Sequence, residues 1–404
     1  MSGPASEENG ASPRPAQTAT SIILGSLAIL IFGIQPLLYA AFVGEGLIEP
    51  DRLGLLSAAE VIAIAIGSSL AIPALKHASV RVIAALAILL IAAANYFQTL
   101  YGSADMLFAF RMVAGLGSGF LVGIAGMAIA ATSRVGQWAA AYLLAQATSQ
   151  FLHLQCFALF WPAPTSKELL LSLAIAGAAM LAGLPFLPRR LGAGTATETG
   201  AGTETGWDQR SARPDAIGIR WLAVMFLFVG GVLTIWAYAG VWLESQNVSA
   251  AAAAAILSAS LAGQAAGAFA ACLIPSSRHD RLRLIATTLL LLLSAGAWFA
   301  WPGSAFAAAG FGIWWLSSVP VLSSILSDAD PRRAALPYAP AAQLAGIAII
   351  PTIAGFLFAA RNVELVLVSG CAAIAFGLLL GFARRPQWIV ARLKVGLRGT
   401  SADR

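Results

Sequence analysis

The chain contains twelve long apolar stretches, and their number and length limit what it can fold into. The hydrocarbon core of a bilayer is about 30 Å thick, so a helix needs roughly 20 residues to cross it. Dividing the apolar runs at charged residues and turn-forming breaks produces twelve segments of that size. Their approximate ranges are 21–43, 52–75, 82–100, 105–131, 137–160, 169–187, 221–242, 249–274, 284–300, 304–326, 337–359 and 365–382. We therefore predict an all-α membrane protein with twelve transmembrane helices.

The overall composition agrees with a membrane protein. Of the 404 residues, 59% are hydrophobic and 10% are charged, and the mean hydropathy is +0.81. The cysteines Cys156, Cys272 and Cys371 lie far apart within apolar runs. This spacing argues against both a disulfide framework and a metal cluster.

Basic residues are distributed unevenly between the two sides of the predicted bundle. If the amino terminus is inside, the outer loops hold only Arg52, Lys167 and Arg361, and Arg111 lies within a span. The other 20 of the 24 basic residues then lie on the inner side. Because Lys and Arg near span ends remain in the cytoplasm, both termini are predicted to be cytoplasmic. We expect a multi-pass protein of the plasma membrane, which in a bacterium is the inner membrane.

Composition also divides the chain into two halves. Segment 188–220 contains the polar, low-complexity run GTATETGAGTETG and is predicted to be a cytoplasmic linker. It joins six-helix halves at 21–187 and 221–383, and a disordered cytoplasmic tail at 1–20 precedes them. The basic tail at 384–404 mixes basic and apolar residues. Two interpretations of it remain open, a helix lying on anionic membrane lipids or an ordinary positively charged end.

A weak internal repeat supports two related halves. The tripeptide Leu-Ser-Ala at 56–58 recurs at 257–259, and Glu45 and Glu244 close the first and seventh spans at nearly the same offset. Parallel repeats are a known plan of transporters. We therefore predict that the two halves are pseudo-symmetric.

The fourth span holds an arginine inside an otherwise uncharged stretch. Its sequence reads Arg111-Met-Val-Ala-Gly115-Leu-Gly117-Ser-Gly119. Together with twelve spans and a flexible central loop, this pattern resembles the major facilitator superfamily, and the arginine with its glycines resembles that superfamily's motif B. The resemblance covers nearly the whole chain and implies secondary transport. Gly115 and Gly119 also form a GxxxG pair, which by itself predicts close helix packing.

Few ionisable side chains lie well inside the spans, namely Glu60, Arg111 and His153. A charge there costs several kcal/mol unless it is paired or hydrated, so each is a functional candidate. At 1.5 Å per residue, these three and Gln35 lie roughly 9 to 12 Å below the outer ends of their spans. We predict that Glu60 and Arg111 form a reversible pair that couples transport to protons. A permanent salt bridge and separate hydration of the two residues are the alternatives.

Neutral polar and aromatic side chains are candidates to bind the solute. In the fifth span, Tyr142, Gln146, Gln150 and His153 recur at helical spacing on one face, which either lines a cavity or bonds to neighbouring helices. Gln35 precedes a proline that is expected to bend or loosen the first span. The predicted substrate-binding residues are Gln35, Tyr142, Gln146, Gln150, His153, Tyr238, Gln264, Trp314 and Gln343.

These features favour a transporter over an enzyme. The sequence has no GxxxxGK[ST] loop, and His77, His153 and His279 lie on separate elements, so neither an ATP motor nor a metal or catalytic cluster is expected. We expect no enzymatic activity, no cofactor and no nucleic-acid partner. The prediction is a monomer that moves a small organic solute by alternating access with protons. An uncoupled facilitator and a non-transporting scaffold or sensor are the alternatives.

Overall fold

Twelve long helical stretches make up the computed structural model, which describes residues 14–101, 103–132, 135–161, 164–190, 214–274, 279–330, 335 and 338–383. Eleven of the stretches are long and apolar enough to cross a membrane. The remaining one, α5, has 26 residues but is more polar. In chain order they are α1 Pro15–Gly44, α2 Pro50–His77, α3 Val80–Leu100, α4 Ala104–Ala130, α5 Val135–Phe160, α6 Ser166–Phe186, α7 Ala216–Ser245, α8 Ala250–Leu273, α9 Asp280–Ala300, α10 Ala305–Ala329, α11 Ala339–Ala359 and α12 Val363–Phe382. The predicted all-α class is confirmed.

Two helices, α1 and α7, begin five or more residues earlier than their hydropathy predicts. Residues 15–20, assigned from the sequence to the amino-terminal tail, are the first turns of α1. α7 begins at Ala216 because the side chain of Asp215 accepts hydrogen bonds from the N–H groups of Ile217 and Gly218, at 3.0 and 2.7 Å. The predicted basic tail 384–404 and most of the predicted linker lie outside the described residues.

The helix α1 is interrupted after Ala28. The carbonyl oxygens of Ala28 and Ile29 accept hydrogen bonds from the side chains of Ser118 and Gln150, at 2.6 and 3.0 Å. Such irregular backbone is tolerated at membrane depth only when other groups satisfy it. Pro36, where the sequence predicts a bend, lies inside the helical segment that follows.

The two halves, α1–α6 and α7–α12, repeat the same helix pairing. α2 packs along α4 in the first half, and α8 packs along α10 in the second. In both pairs, glycines lie directly against the neighbouring backbone, Gly67 and Gly119 in the first and Gly263 and Gly267 in the second. Small residues allow this close approach. The predicted pseudo-symmetric arrangement is confirmed.

The ends of the bundle are named from the direction of α1. The end at which α1 begins is the inner end, and the end at which it finishes is the outer end. The predicted cytoplasmic side is thus the inner end. Between the halves, α1 packs against α7, α2 against α11, and α5 against α8.

Candidate functional site

Arg111 lies fully buried in α4 and contacts side chains of two other helices. Its Nη1 atom is 3.4 Å from Oε1 of Glu60 on α2. On α3, its Nε donates a hydrogen bond of 2.9 Å to Oε1 of Gln98, and its Nη2 donates to Oδ1 of Asn95. The Asn95 amide nitrogen donates to the carbonyl of Ile91 at 2.8 Å, which orients the amide oxygen. The structure therefore brings Glu60 and Arg111 together, but within a cluster of four polar side chains.

This cluster contains more polar atoms than hydrogen-bond partners. Among the described residues, Oε2 of Glu60 and Nε2 of Gln98 are buried without a partner. A cavity of about 10 Å³ adjoins Glu60, Asn95 and Arg111, which is near the lower limit for one water molecule. An unpaired oxygen on a buried carboxylate is costly, because its desolvation is not compensated. Binding of a proton or a water molecule at Oε2 relieves that cost.

A second polar group continues from the cluster into α1. The amide nitrogen of Gln35 donates to the hydroxyl of Tyr39 at 2.9 Å and to that of Ser57 at 3.2 Å. All three side chains are buried. Ser57 lies three residues before Glu60 on α2, so these two side chains share one helical face. The predicted residue Gln35 is thus linked to the helix face that carries Glu60. It follows by three residues Phe32, whose carbonyl is bonded to Trp236 of α7.

Four members of this site were not selected as site residues from the sequence, namely Tyr39, Ser57, Asn95 and Gln98. The two amides are three residues apart in the otherwise apolar α3, so they share one helical face. Tyr39 follows Gln35 by four residues and shares its face in the same way. These spacings were the available signal, because polar side chains on a common face of a membrane helix point to protein or water.

The predicted residues of α5 mostly contact neighbouring helices of their own half. Gln150 binds the interruption of α1, as described above. His153 places Nε2 at 3.2 Å from the hydroxyl of Ser172 on α6. Tyr142 lies against Gly25 of α1 with its hydroxyl buried. Gln146 is half-buried.

The predicted residues of the second half are spread over four helices. Gln264 on α8 is buried, and its amide nitrogen has no partner among the described residues. Trp314 on α10 and Gln343 on α11 are half-buried. Tyr238 on α7 is buried at the contact between the halves.

Three hydrogen bonds join the halves in the described part of the chain. The hydroxyl of Tyr238 accepts from the backbone N–H of Gly54 at 3.0 Å. The Gly54 carbonyl accepts from the hydroxyl of Thr352 on α11 at 2.9 Å. The indole N–H of Trp236 donates to the carbonyl of Phe32 at 2.6 Å. Phe32 lies near the middle of the membrane and Gly54 near the outer end, so these bonds join the halves from mid-membrane outward.

Two cavities separate the halves on the inner side. One, of about 460 Å³, lies between the inner ends of α5, α8 and α10. The other, of about 630 Å³, lies between the inner parts of α2 and α11. A third cavity, of about 420 Å³, lies between the halves at the outer ends of α1 and α7 and the start of α8. The two larger cavities are at the inner end, whereas the hydrogen bonds between the halves lie from mid-membrane outward.

Comparisons with known proteins agree with this architecture. No protein-family model matches the chain, and no curated protein sequence matches it. Among solved structures, a D-xylose–proton symporter superimposes with a TM-score of 0.63 at 15% identity, over 90% of this chain and 95% of that chain. Two structures of the nucleoside transporter NupG superimpose with TM-scores of 0.69 and 0.67 at 12% and 13% identity, over 91% of this chain and 98% and 97% of those chains. The chain thus has the same fold as these solved structures.

Proposed function

We propose that this protein is a secondary transporter that moves a small organic solute across the plasma membrane by alternating access. The observation that carries the proposal is the position of the hydrogen bonds between the halves. These bonds lie from mid-membrane outward, beside an outer cavity of about 420 Å³, whereas cavities of about 460 and 630 Å³ separate the halves at the inner end. Two halves that rock about such a contact expose a central site to each side in turn. The similar structures carry the names of a sugar symporter and a nucleoside transporter.

We propose further that Glu60 carries the coupled proton and that Arg111 controls its charge. A guanidinium group is a permanent cation in proteins. Because Asn95 and Gln98 also hold the guanidinium, Glu60 can gain a proton without leaving Arg111 unpaired. The carboxylate is bound through one oxygen only, at 3.4 Å, so protonation of the other oxygen breaks no existing hydrogen bond. A change in hydration during rocking then shifts Glu60 between its charged and neutral forms.

The nine predicted solute contacts remain proposals. The half-buried side chains Gln146, Trp314 and Gln343 are the first to test, because a solute reaches them with the smallest rearrangement. A site of amides and aromatic rings suits a neutral or weakly charged solute, since these groups bind hydroxyls and apolar faces without a fixed charge. The inner end faces the cytoplasm in this proposal, and the transporter acts as a monomer.

Transport in proteoliposomes tests the function. The purified protein is reconstituted, a pH difference is imposed, and uptake of radiolabelled D-xylose, a nucleoside and a monocarboxylic acid is measured. We expect at least one solute to accumulate above equilibrium in proportion to the pH difference. The variant Glu60→Gln should lose this accumulation while retaining solute exchange. The control Glu49→Gln removes an exposed carboxylate near the outer end and should behave as the wild type.

The outcomes separate the alternatives. Equilibration without accumulation by the wild-type protein identifies an uncoupled facilitator. Accumulation by Glu60→Gln in proportion to the pH difference shows that Glu60 does not carry the proton. A protein that transports none of a wide solute panel, and whose cysteine accessibility never changes sides, is a scaffold or sensor.

A further inference from the structure

Five basic side chains surround one cavity at the inner end of the first half. The cavity, of about 510 Å³, lies between the α2–α3 loop and the segment after α6. Its basic lining residues are Lys76, His77, Arg81, Arg189 and Arg190. The acidic residues described in this half lie at mid-membrane or at the outer end, and they are Glu45, Glu49, Asp51, Glu60, Asp105 and Glu168. In the described residues, the inner end of this half thus presents positive charge without a carboxylate to balance it.

Backbone contacts hold this basic cluster together. Arg81 donates from Nε to the carbonyl of Leu187 at 2.9 Å and from Nη2 to that of Pro185 at 2.7 Å. The N–H of Val80 donates to the carbonyl of Arg189 at 3.2 Å. These bonds attach the α2–α3 loop to the segment after α6 and bring cations from distant parts of the sequence to one place. Like charges held close together repel each other, and a bound anion removes that cost.

Exposed apolar side chains lie on the membrane side of the cavity. Ile72 on α2, Val82 and Leu86 on α3, and Phe186 at the end of α6 are 56%, 52%, 59% and 67% exposed. Each is within about two helical turns of a basic lining residue. Large exposed apolar side chains at this depth suit contact with acyl chains, whereas a basic cavity at their inner edge suits a headgroup.

We propose that this cavity binds the phosphate headgroup of an anionic phospholipid of the inner leaflet. Lys76, Arg189 and Arg190 donate charge-assisted hydrogen bonds to the phosphate oxygens. The acyl chains lie along the apolar surface of α2, α3 and the end of α6. Because the loop and the start of the central linker meet at this cavity, the lipid stabilises the connection between them. The inference does not depend on which solute the protein transports.

Lipid titration of the full-length protein in detergent tests the proposal. Native mass spectrometry measures binding of phosphatidylglycerol and phosphatidylcholine. We expect phosphatidylglycerol to bind at least about tenfold more tightly than phosphatidylcholine, because each basic residue near an anionic headgroup strengthens lipid binding. The variant Lys76→Gln/Arg189→Gln/Arg190→Gln should lose this preference. Arg81 is left unchanged because it binds two carbonyls.

The matched control is Lys167→Gln/Arg281→Gln/Arg361→Gln, which also removes one exposed lysine and two exposed arginines and should keep the preference. If the triple variant fails to fold, Arg190→Gln alone should reduce the preference at least about threefold, in keeping with one charge near a headgroup. An unchanged preference in the cavity variants, or an equal loss in the control, overturns the proposal. Full competition by inorganic phosphate at concentrations similar to those of the lipid also overturns it, because the cavity would then bind a free anion.

Discussion

The indole nitrogen of Trp236 on α7 donates a hydrogen bond of 2.6 Å to the backbone carbonyl of Phe32 on α1. Phe32 lies four residues before Pro36, whose nitrogen has no hydrogen, so the helix cannot satisfy this carbonyl in the usual way. One turn beyond Trp236, Gly240 lies directly against the carbonyl of Pro36. The halves are therefore joined where the proline of α1 leaves an open backbone acceptor.

Removing the indole donor should weaken outer closure. Trp236→Phe keeps a ring but leaves the Phe32 carbonyl without its partner, which costs about 1–3 kcal/mol in a buried site. In a cysteine-free background carrying Ser57→Cys, we expect alkylation from the outside to become about fivefold faster or more, in line with that cost. The control Trp301→Phe changes a tryptophan that is 67% exposed. Equal alkylation rates for the two tryptophan variants would contradict a role of Trp236 in closure.

The glycines after Arg111 should act through close packing. A Cβ at Gly115 would lie 2.5 Å from the carbonyl oxygen of Glu60, whereas a Cβ at Gly126 in the same helix would meet no atom within 4 Å. Gly115→Leu should therefore lower the melting temperature in detergent, by overpacking that costs about 1–3 kcal/mol or more, and impair transport. Gly126→Leu should do neither. Similar melting temperatures for both variants would show that α2 and α4 tolerate separation at Gly115.

Arg111 should matter more for stability than Glu60. Arg111→Ala removes the partner of Glu60, Asn95 and Gln98 together, and breaking a buried ion pair in this way costs about 3–5 kcal/mol. Glu60→Gln removes one contact of 3.4 Å and leaves both amide bonds intact. Thermal unfolding in detergent should show a clearly larger loss for Arg111→Ala. A larger loss for Glu60→Gln would mean that the carboxylate, not the arginine, organises the cluster.

Labelling of the native cysteine Cys272 should show which side of the membrane the inner cavity faces. It lines the inner cavity of about 460 Å³ between α5, α8 and α10, and it is exposed. A membrane-impermeant thiol reagent should label it in inside-out vesicles and not in right-side-out vesicles. Cys272→Ala identifies the signal, since Cys156 is also exposed. Labelling of Cys272 only from the outer face would reverse the proposed topology.

Much of this architecture was determined by the sequence alone. The twelve helices, the two halves and the buried candidates Glu60 and Arg111 follow from apolar length and from the cost of a charge in hydrocarbon. Apolar length and a charge within an apolar run are properties of a single segment, so they can be inferred without knowing which helices pack against it. The early starts of α1 and α7 were missed because polar first turns and a capping aspartate extend a helix beyond its apolar part.

Only the tertiary structure decided which side chains meet. The convergence of Asn95 and Gln98 on Arg111 depends on how α3 and α4 are rotated about their axes, and hydropathy contains no information on that rotation. In the same way, the partner of Phe32 lies 204 residues away on α7. The basic cavity forms because Arg81 caps carbonyls more than 100 residues further along the chain. Contacts between helices require a specific register and rotation of both partners, and these are set by packing of the whole bundle.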